Sequence, residues 1–322
     1  MRGVLIVNPH ATTTSPYVTD VIVQAASHEA DLAVTFTTHR GHALSIAREA
    51  RARGLDLVMT LGGDGLVNEV INGLLFAGDT GVVPVLATLP GGSANVFARA
   101  LGIPPDPVEA TGYVMSALRR EAFRTIGLGH TSITQEGTVQ ERWFTANAGL
   151  GLDARIIDAM DQQRAQGRTA TPARYLTTTI KEYLTGADRE HPAINLLRPG
   201  LPKVDRVLLC LVQNTAPWTY FGPWPIDPMP QASFDTALDV FALRSLGPVV
   251  TARAAQRMVL RTGGQPTGRD LLAWHDQMEF TAETDVPIPM QVDGEAIGLV
   301  ERVAFRGVAG ALRVVADTPR VK

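Results

Sequence analysis

The first 124 residues alternate short β-rich apolar runs with longer segments of helical period, and few folds accommodate that order. Val4 to Val7, Leu32 to Thr37, Leu55 to Leu61 and Val82 to Leu89 are the predicted strands. Gly41 to Arg53 and Leu66 to Leu74 place apolar residues three and four apart, as helices crossing between parallel strands do. In the second of these, Leu66, Val67, Val70, Ile71 and Leu74 share one face, which leaves Asn68, Glu69 and Asn72 at its edge. The chain therefore begins with an α/β domain built on a parallel sheet.

After Pro104-Pro105 one more helix reaches Arg120, and from Phe123 short strands broken by Gly and Pro take over. Helices are predicted at Leu152 to Gln163, Pro172 to Leu184 and Pro248 to Arg261. Val204 to Val212, Leu238 to Leu243, Gln277 to Thr281 and Arg302 to Val315 read as antiparallel strands. The 322 residues thus divide into an α/β domain over 1–124 and a β-rich domain over 125–300, with a cleft expected between them.

A net charge of -3 and a pI near 6.2 provide no basic footprint for nucleic acid. Cys210 is the only cysteine, so no intramolecular disulfide forms, and a reducing, cytoplasmic setting is expected. The apolar run at Val4 to Val7 is too short for a signal-peptide core, and no run of about 18 apolar residues exists to span a membrane. Contact with lipid is expected to be peripheral.

Two segments carry the chemistry. In Leu57-Val58-Met59-Thr60-Leu61-Gly62-Gly63-Asp64-Gly65-Leu66 a strand ends in three glycines around one aspartate and a helix starts at once. Such glycines permit φ > 0 and close backbone approach, and a helix N-terminus favours anions, so a polyphosphate is the expected ligand. Phosphate alone would repel an aspartate, which assigns Asp64 to a metal ion or a substrate hydroxyl; as a helix cap it would be purely structural. Leu89-Pro90-Gly91-Gly92-Ser93-Ala94-Asn95 repeats the pattern with Ser93 as the capping residue. Neither loop ends as a Walker A loop does, and no Gly-x-Gly-x-x-Gly follows the first strand.

Together with Asn8-Pro9, with Val292-Asp293-Gly294-Glu295 near the end, and with Ala148-Gly149-Leu150-Gly151-Leu152-Asp153 and Tyr220-Phe221-Gly222 between, these loops resemble the signature of the diacylglycerol kinase, sphingosine kinase and ceramide kinase family. The resemblance implies a nucleotide-binding α/β domain like that of 6-phosphofructokinase and NAD kinase, completed by about residues 301–322, and a C-terminal β-sandwich that accepts lipid. It implies ATP and Mg²⁺ as cofactors and diacylglycerol as the leading acceptor. A sphingoid-base or other lipid kinase is the first alternative, followed by NAD kinase or a lipid-binding protein that has lost catalysis. By motif, Asn8, Thr38, Gly62, Gly63, Gly65, Glu69, Gly91, Gly92, Ser93 and Arg174 would surround ATP. Asp64 and Asp293 compete as general base, Glu295 with Asp293 would hold Mg²⁺, and Asp153 would face the lipid substrate. A homodimer is left open.

The chain also departs from the family pattern. His10-Ala11-Thr12-Thr13-Thr14-Ser15 follows Asn8-Pro9 where Ser-Gly is common, and Leu66 stands where many bacterial members have Thr. Ser233-Phe234-Asp235-Thr236-Ala237-Leu238-Asp239 lacks the glycine usual beside a structural Mg²⁺. Arg164, Arg168 and Lys181 read as solvated helix face as readily as phosphate contacts. His39 and His42 read as surface residues rather than a metal pair, and Trp218, Tyr220, Phe221 and Trp224 as either a lipid entrance or a sandwich edge.

Overall fold

The computed structural model describes residues 1–11, 16–29, 31–76, 78–165, 172–183, 193–221, 223–261 and 268–318. The chain forms two compact units, residues 1–126 with the stretch from Gly310 onward, and residues 127–309.

The first unit contains β1 (Arg2–Val7), α1 (Pro16–Glu29), β2 (Asp31–Phe36), α2 (His42–Ala52), β3 (Leu57–Gly62), α3 (Asp64–Leu74), β4 (Val85–Pro90), α4 (Val96–Ala100) and α5 (Pro107–Arg119). Its strands pair in parallel in the order β2-β1-β3-β4. The inner strands β3 and β4 are buried along their whole length, which is why they read as unbroken apolar runs rather than alternating ones. β4 begins at Val85, not at Val82: Pro84 has no N–H to give a ladder, and Val82 is 87% exposed.

α3 buries Leu66, Val67, Val70, Ile71 and Leu74 as its spacing predicts, but Asn68 is buried as well. On another side of the helix α2 packs so closely that a Cβ on Gly73 would lie 2.3 Å from the Leu44 carbonyl oxygen. Buried Asn68 remains satisfied, because the Asn72 side-chain amide donates to its side-chain oxygen at 3.1 Å.

The second unit is strand-rich. It contains β5 (Phe123–Gln135, which starts in the first unit), β6 (Thr138–Phe144), β7 (Asn147–Gly151), α6 (Leu152–Ala165), α7 (Pro172–Lys181), β8 (Ile194–Leu197), β9 (Val204–Val207) and β10 (Leu209–Gln213). There follow β11 (Thr219–Phe221), β12 (Trp224–Ile226), β13 (Leu238–Leu243), α8 (Pro248–Leu260), β14 (Leu271–Gln277), β15 (Glu279–Val292) and β16 (Glu295–Val315). The last residues of β16 return to the first unit, where Val314 pairs in parallel with Leu86 of β4.

Antiparallel pairing runs β14-β13-β10-β7-β15-β16, with β5 and β6 branching from β16 and β8 and β9 from β15. Side chains alternate faces along these strands. Cys210 and Val212 of β10 and Leu238, Val240 and Ala242 of β13 enter one core with Phe144, Phe280 and Phe305. Leu211, Phe241 and Leu243 point the other way, into a core shared with Leu152 and Ile156 of α6 and Ala254 of α8. Two expected strands resolve differently. Val204 to Val212 is two strands, β9 ending at Val207 and β10 starting at Leu209, with Arg206 at a φ of 60° shortly before the break. Gln277 to Thr281 spans the junction of β14 and β15, where Asp276 has a φ of 58° and Met278 is exposed.

Candidate functional site

The two glycine loops leave adjacent parallel strands at the same end and touch backbone to backbone. The Gly91 amide donates to the Gly62 carbonyl at 2.8 Å. A Cβ on Gly92 would lie 2.6 Å from the Gly63 Cα, and one on Gly91 would lie 2.9 Å from the Gly62 Cα. Gly62 is closed off in its turn by the Leu66 side chain, 2.6 Å from where its Cβ would be. None of these four glycines needs a positive φ. They are small so that the loops can interlock, a cause distinct from the one their sequence suggests. Gly65 differs: it is exposed in the first turn of α3, and a Cβ there would meet nothing within 4 Å.

Asp64 also lies in the first turn of α3, yet its carboxylate reaches across to α4, accepting from the Val96 and Phe97 amides at 3.0 and 3.0 Å. It therefore caps a helix, though not the one it begins. Ser93, the expected cap, is exposed, and Asn95 occupies the cap position with a φ of 48° while bonding to both backbone polar groups of Gly92. Glu69 plays the same part for α2, whose cap residue Gly41 has no side chain: its Oε2 accepts from the Ala43 amide at 3.2 Å.

Asn8 follows β1, its amide held by the Leu61 carbonyl at 3.0 Å and its side-chain oxygen accepting from the His10 amide at 2.9 Å. Thr38 is exposed after β2, and its hydroxyl lies 2.9 Å from His39 Nδ1 and 3.1 Å from His42 Nδ1, with the two imidazoles stacked at 5.0 Å. Residues 12–15, the hydroxyl run of that loop, lie outside the described residues.

In the second unit Asp293 and Gly294 form the two-residue turn joining β15 to β16, with φ of 46° and 79°. An Asp-Gly pair between apolar strands is the ordinary signal for such a hairpin, so the sequence contained a structural reason for this dipeptide beside the chemical one. The Asp293 carboxylate sits in a row of successive backbone amides. Oδ2 accepts from Thr145 N at 2.7 Å and from the Thr145 hydroxyl at 2.9 Å, while Oδ1 accepts from Ala146 N at 2.9 Å and Asn147 N at 3.0 Å. Glu295, two residues on, forms an ion pair with Arg142.

Behind this turn runs a buried amide network. The Gln291 Nε2 donates to Asn147 Oδ1 at 2.9 Å and to Asp153 Oδ2 at 2.8 Å, and its Oε1 accepts from the Gly294 amide at 2.9 Å. Asp153, at the start of α6, packs so tightly that a Cβ on Gly149 would lie 1.9 Å from its Oδ2. Burial raises its pKa from 3.8 to about 6, against the lowering effect of the Gln291 hydrogen bond. Burial and the neighbouring Asp153 push the Cys210 thiol up to about 12. Thr145, Asn147 and Gln291 escaped the sequence reading because a polar residue in an apolar strand reports burial only once its neighbours are known.

The remaining candidates separate. Arg174 is half-buried on α7, and Arg168 and Gly222 lie outside the described residues. Trp218 packs on the core beside α6 and α8, whereas Trp224 is 69% exposed. Asp239 is buried against His275 Nδ1 at 2.8 Å and the Asp276 amide at 3.0 Å, and burial raises its pKa. Among the described residues no three His, Cys, Asp or Glu side chains are grouped to hold a metal ion, and no helix is long and apolar enough to cross a membrane.

Comparison with known proteins places this architecture. Residues 2–130 match the diacylglycerol kinase catalytic domain. Over 138 residues the chain is 46% identical to the probable lipid kinase YegS-like protein of Chromohalobacter salexigens, a stretch covering 42% of this chain and 39% of that protein. Over 85 residues it is 44% identical to the diacylglycerol kinase of Bacillus subtilis, covering 26% of this chain and 27% of that one. These matched stretches span well under two thirds of either relative. A crystal structure of a diacylglycerol kinase from Bacillus anthracis superposes with a TM-score of 0.72 at 19% identity, covering 99% of this chain and 98% of the other, a likeness of fold. Over residues 2–130, then, the chain is similar to the catalytic domain of diacylglycerol kinases, and beyond them the likeness shown is one of fold.

Proposed function

We propose that the chain is an ATP-dependent kinase that transfers the γ-phosphoryl group to a lipid hydroxyl, with diacylglycerol ahead of sphingoid bases as acceptor. The observation that carries this reading is the pair of interlocked glycine loops, which leaves Gly65 and the first turn of α3 with open space where a phosphate can approach backbone amides. Positioning and electrostatic stabilisation are most of what phosphoryl transfer requires of a protein. The exposed Ser93 and Thr38, with Asn8, are assigned to ATP. The strand-rich unit is assigned the acyl chains, where each buried CH₂ contributes roughly 0.8 kcal/mol, so a long chain localises the substrate without strong head-group contacts. Contact with a membrane surface is then peripheral, at the site where the lipid is met.

The donor set suits a Mg²⁺ ion that arrives with the nucleotide, since such ions commonly take one or two carboxylates and complete their shell with phosphate and water. Glu295, once Arg142 turns away from it, would hold it, because both Asp293 oxygens already accept two hydrogen bonds each, and bound there the ion would offset the developing phosphate charge. Between the two aspartates, hydrogen bonding favours Asp293 as proton acceptor. The Val96 and Phe97 amides that Asp64 caps cannot leave it without fraying α4, whereas the Thr145 hydroxyl can rotate off Asp293 Oδ2 and free a lone pair for the acceptor's proton.

Thermal unfolding tests the nucleotide. Mg-ATP at 100 times its Kd should stabilise the chain by about 2.7 kcal/mol, and NAD should give no shift. Stabilisation by NAD with none from ATP would overturn the proposal in favour of a nicotinamide nucleotide substrate.

A further inference from the structure

Gln291 is 1% exposed, yet each end of its amide is engaged: one partner, Asp153, has been assigned chemistry, and another, Gly294, lies between Asp293 and Glu295. Its nitrogen holds the Asp153 carboxylate and the Asn147 side chain; its oxygen holds the Gly294 amide in the middle of the Asp293-Gly294-Glu295 turn. Asn147 closes the circuit, because its backbone N–H donates to Asp293 Oδ1. We propose that Gln291 is a positioning residue for phosphoryl transfer, fixing the acceptor-side carboxylate of Asp153 against the turn that presents Asp293 and Glu295. The inference rests on the kinase reading given above and adds a residue to it.

A side chain with this job must be an amide. Glutamate would keep the acceptor for Gly294 but place a negative charge 2.8 Å from Asp153, where glutamine now donates. Methionine would keep the volume and lose every hydrogen bond. Other titratable groups around Asp153 are Cys210 on β10, neutral at ordinary pH because burial pushes it up to about 12, and Asp293, set off by Asn147. Any charge that substitution brings to this network therefore acts first on Asp153.

The test measures kcat, KM and the pH dependence of kcat for wild type, Gln291→Met, Gln291→Glu, Asp153→Asn and the double variant Gln291→Glu/Asp153→Asn. Both single changes at Gln291 should lower kcat roughly 10- to 100-fold with KM for ATP within about 2-fold, as removal of a supporting hydrogen bond commonly does. The acid limb of kcat should move upward by about 1 pH unit in both, because each removes the bond that favours ionised Asp153. In the Asp153→Asn background, Gln291→Glu should add little further loss, since an asparagine amide can donate to the new carboxylate. Unmoved acid limbs, or losses that simply multiply, would reduce Gln291 to core filling and overturn the proposal. If Gln291→Glu fails to fold, Gln291→Met carries the test. A carboxyl ¹³C titration of Asp153 in wild type and Gln291→Met requires no turnover: an unchanged midpoint sinks the positioning role. Absence of lipid phosphorylation by wild type would instead sink the kinase reading.

Discussion

A Cβ on Gly92 would lie 2.6 Å from the Gly63 Cα, whereas one on Gly65 would meet nothing within 4 Å. The two positions therefore answer different questions. Gly92→Ala overpacks the loop contact and should cost about 2 kcal/mol of stability, read as a lower Tm. Gly65→Val should leave Tm nearly unchanged and weaken ATP binding by at least about 10-fold, because the branched side chain occupies the space proposed for phosphate. Equal ATP affinity in wild type and Gly65→Val, by calorimetry, would remove that turn from the nucleotide site. Asp153 gives a second residue-scale expectation. Its folded pKa is raised from 3.8 to about 6, so the native state holds the proton more tightly than the unfolded chain. Its ionisation therefore costs stability as pH climbs through that window, a loss of about 3 kcal/mol that is complete above it. Asp153→Asn should accordingly raise Tm at pH 8, change it little at pH 4, and lower turnover. A fall in Tm at pH 8 would show that the carboxylate is better accommodated than its burial implies.

The secondary elements depend on acids borrowed from elsewhere in the chain. α4 is five residues long, too short to persist on its own, and both oxygens of Asp64 hold its first amides. Asp64→Asn keeps the shape but can supply only one acceptor oxygen. It should cost about 1 kcal/mol and speed hydrogen exchange at Val96 and Phe97 before the sheet is affected. Unchanged exchange there would mean that packing, not Asp64, holds α4. This is also where sequence reading reached its limit. Strand ends and apolar faces were legible because periodicity is local, and Leu238 to Leu243 matched residue for residue. That Asp64 caps α4, that Glu69 caps α2 and that Asp293 sits among the 145–147 amides are contacts across 26 to 148 residues of chain, and no local pattern encodes them.

For the whole molecule, the α/β architecture joined to a strand-rich unit was legible, because continuous apolar runs mark a parallel sheet and alternating ones an antiparallel one. The order of the motifs was enough to mark the resemblance to diacylglycerol kinases that residues 2–130 bear out. The same residues supported a chemical role without revealing which backbone amides each carboxylate already accepts from. The central claim, transfer of phosphate to a lipid, is tested most directly by incubating the full chain with γ-labelled ATP and Mg²⁺ in mixed micelles containing diacylglycerol, sphingosine or ceramide, with NAD in a parallel reaction. The account predicts label in the lipid phase, greatest with diacylglycerol, and abolished by Asp293→Asn in protein that still unfolds cooperatively. Label in NAD and in no lipid would contradict it.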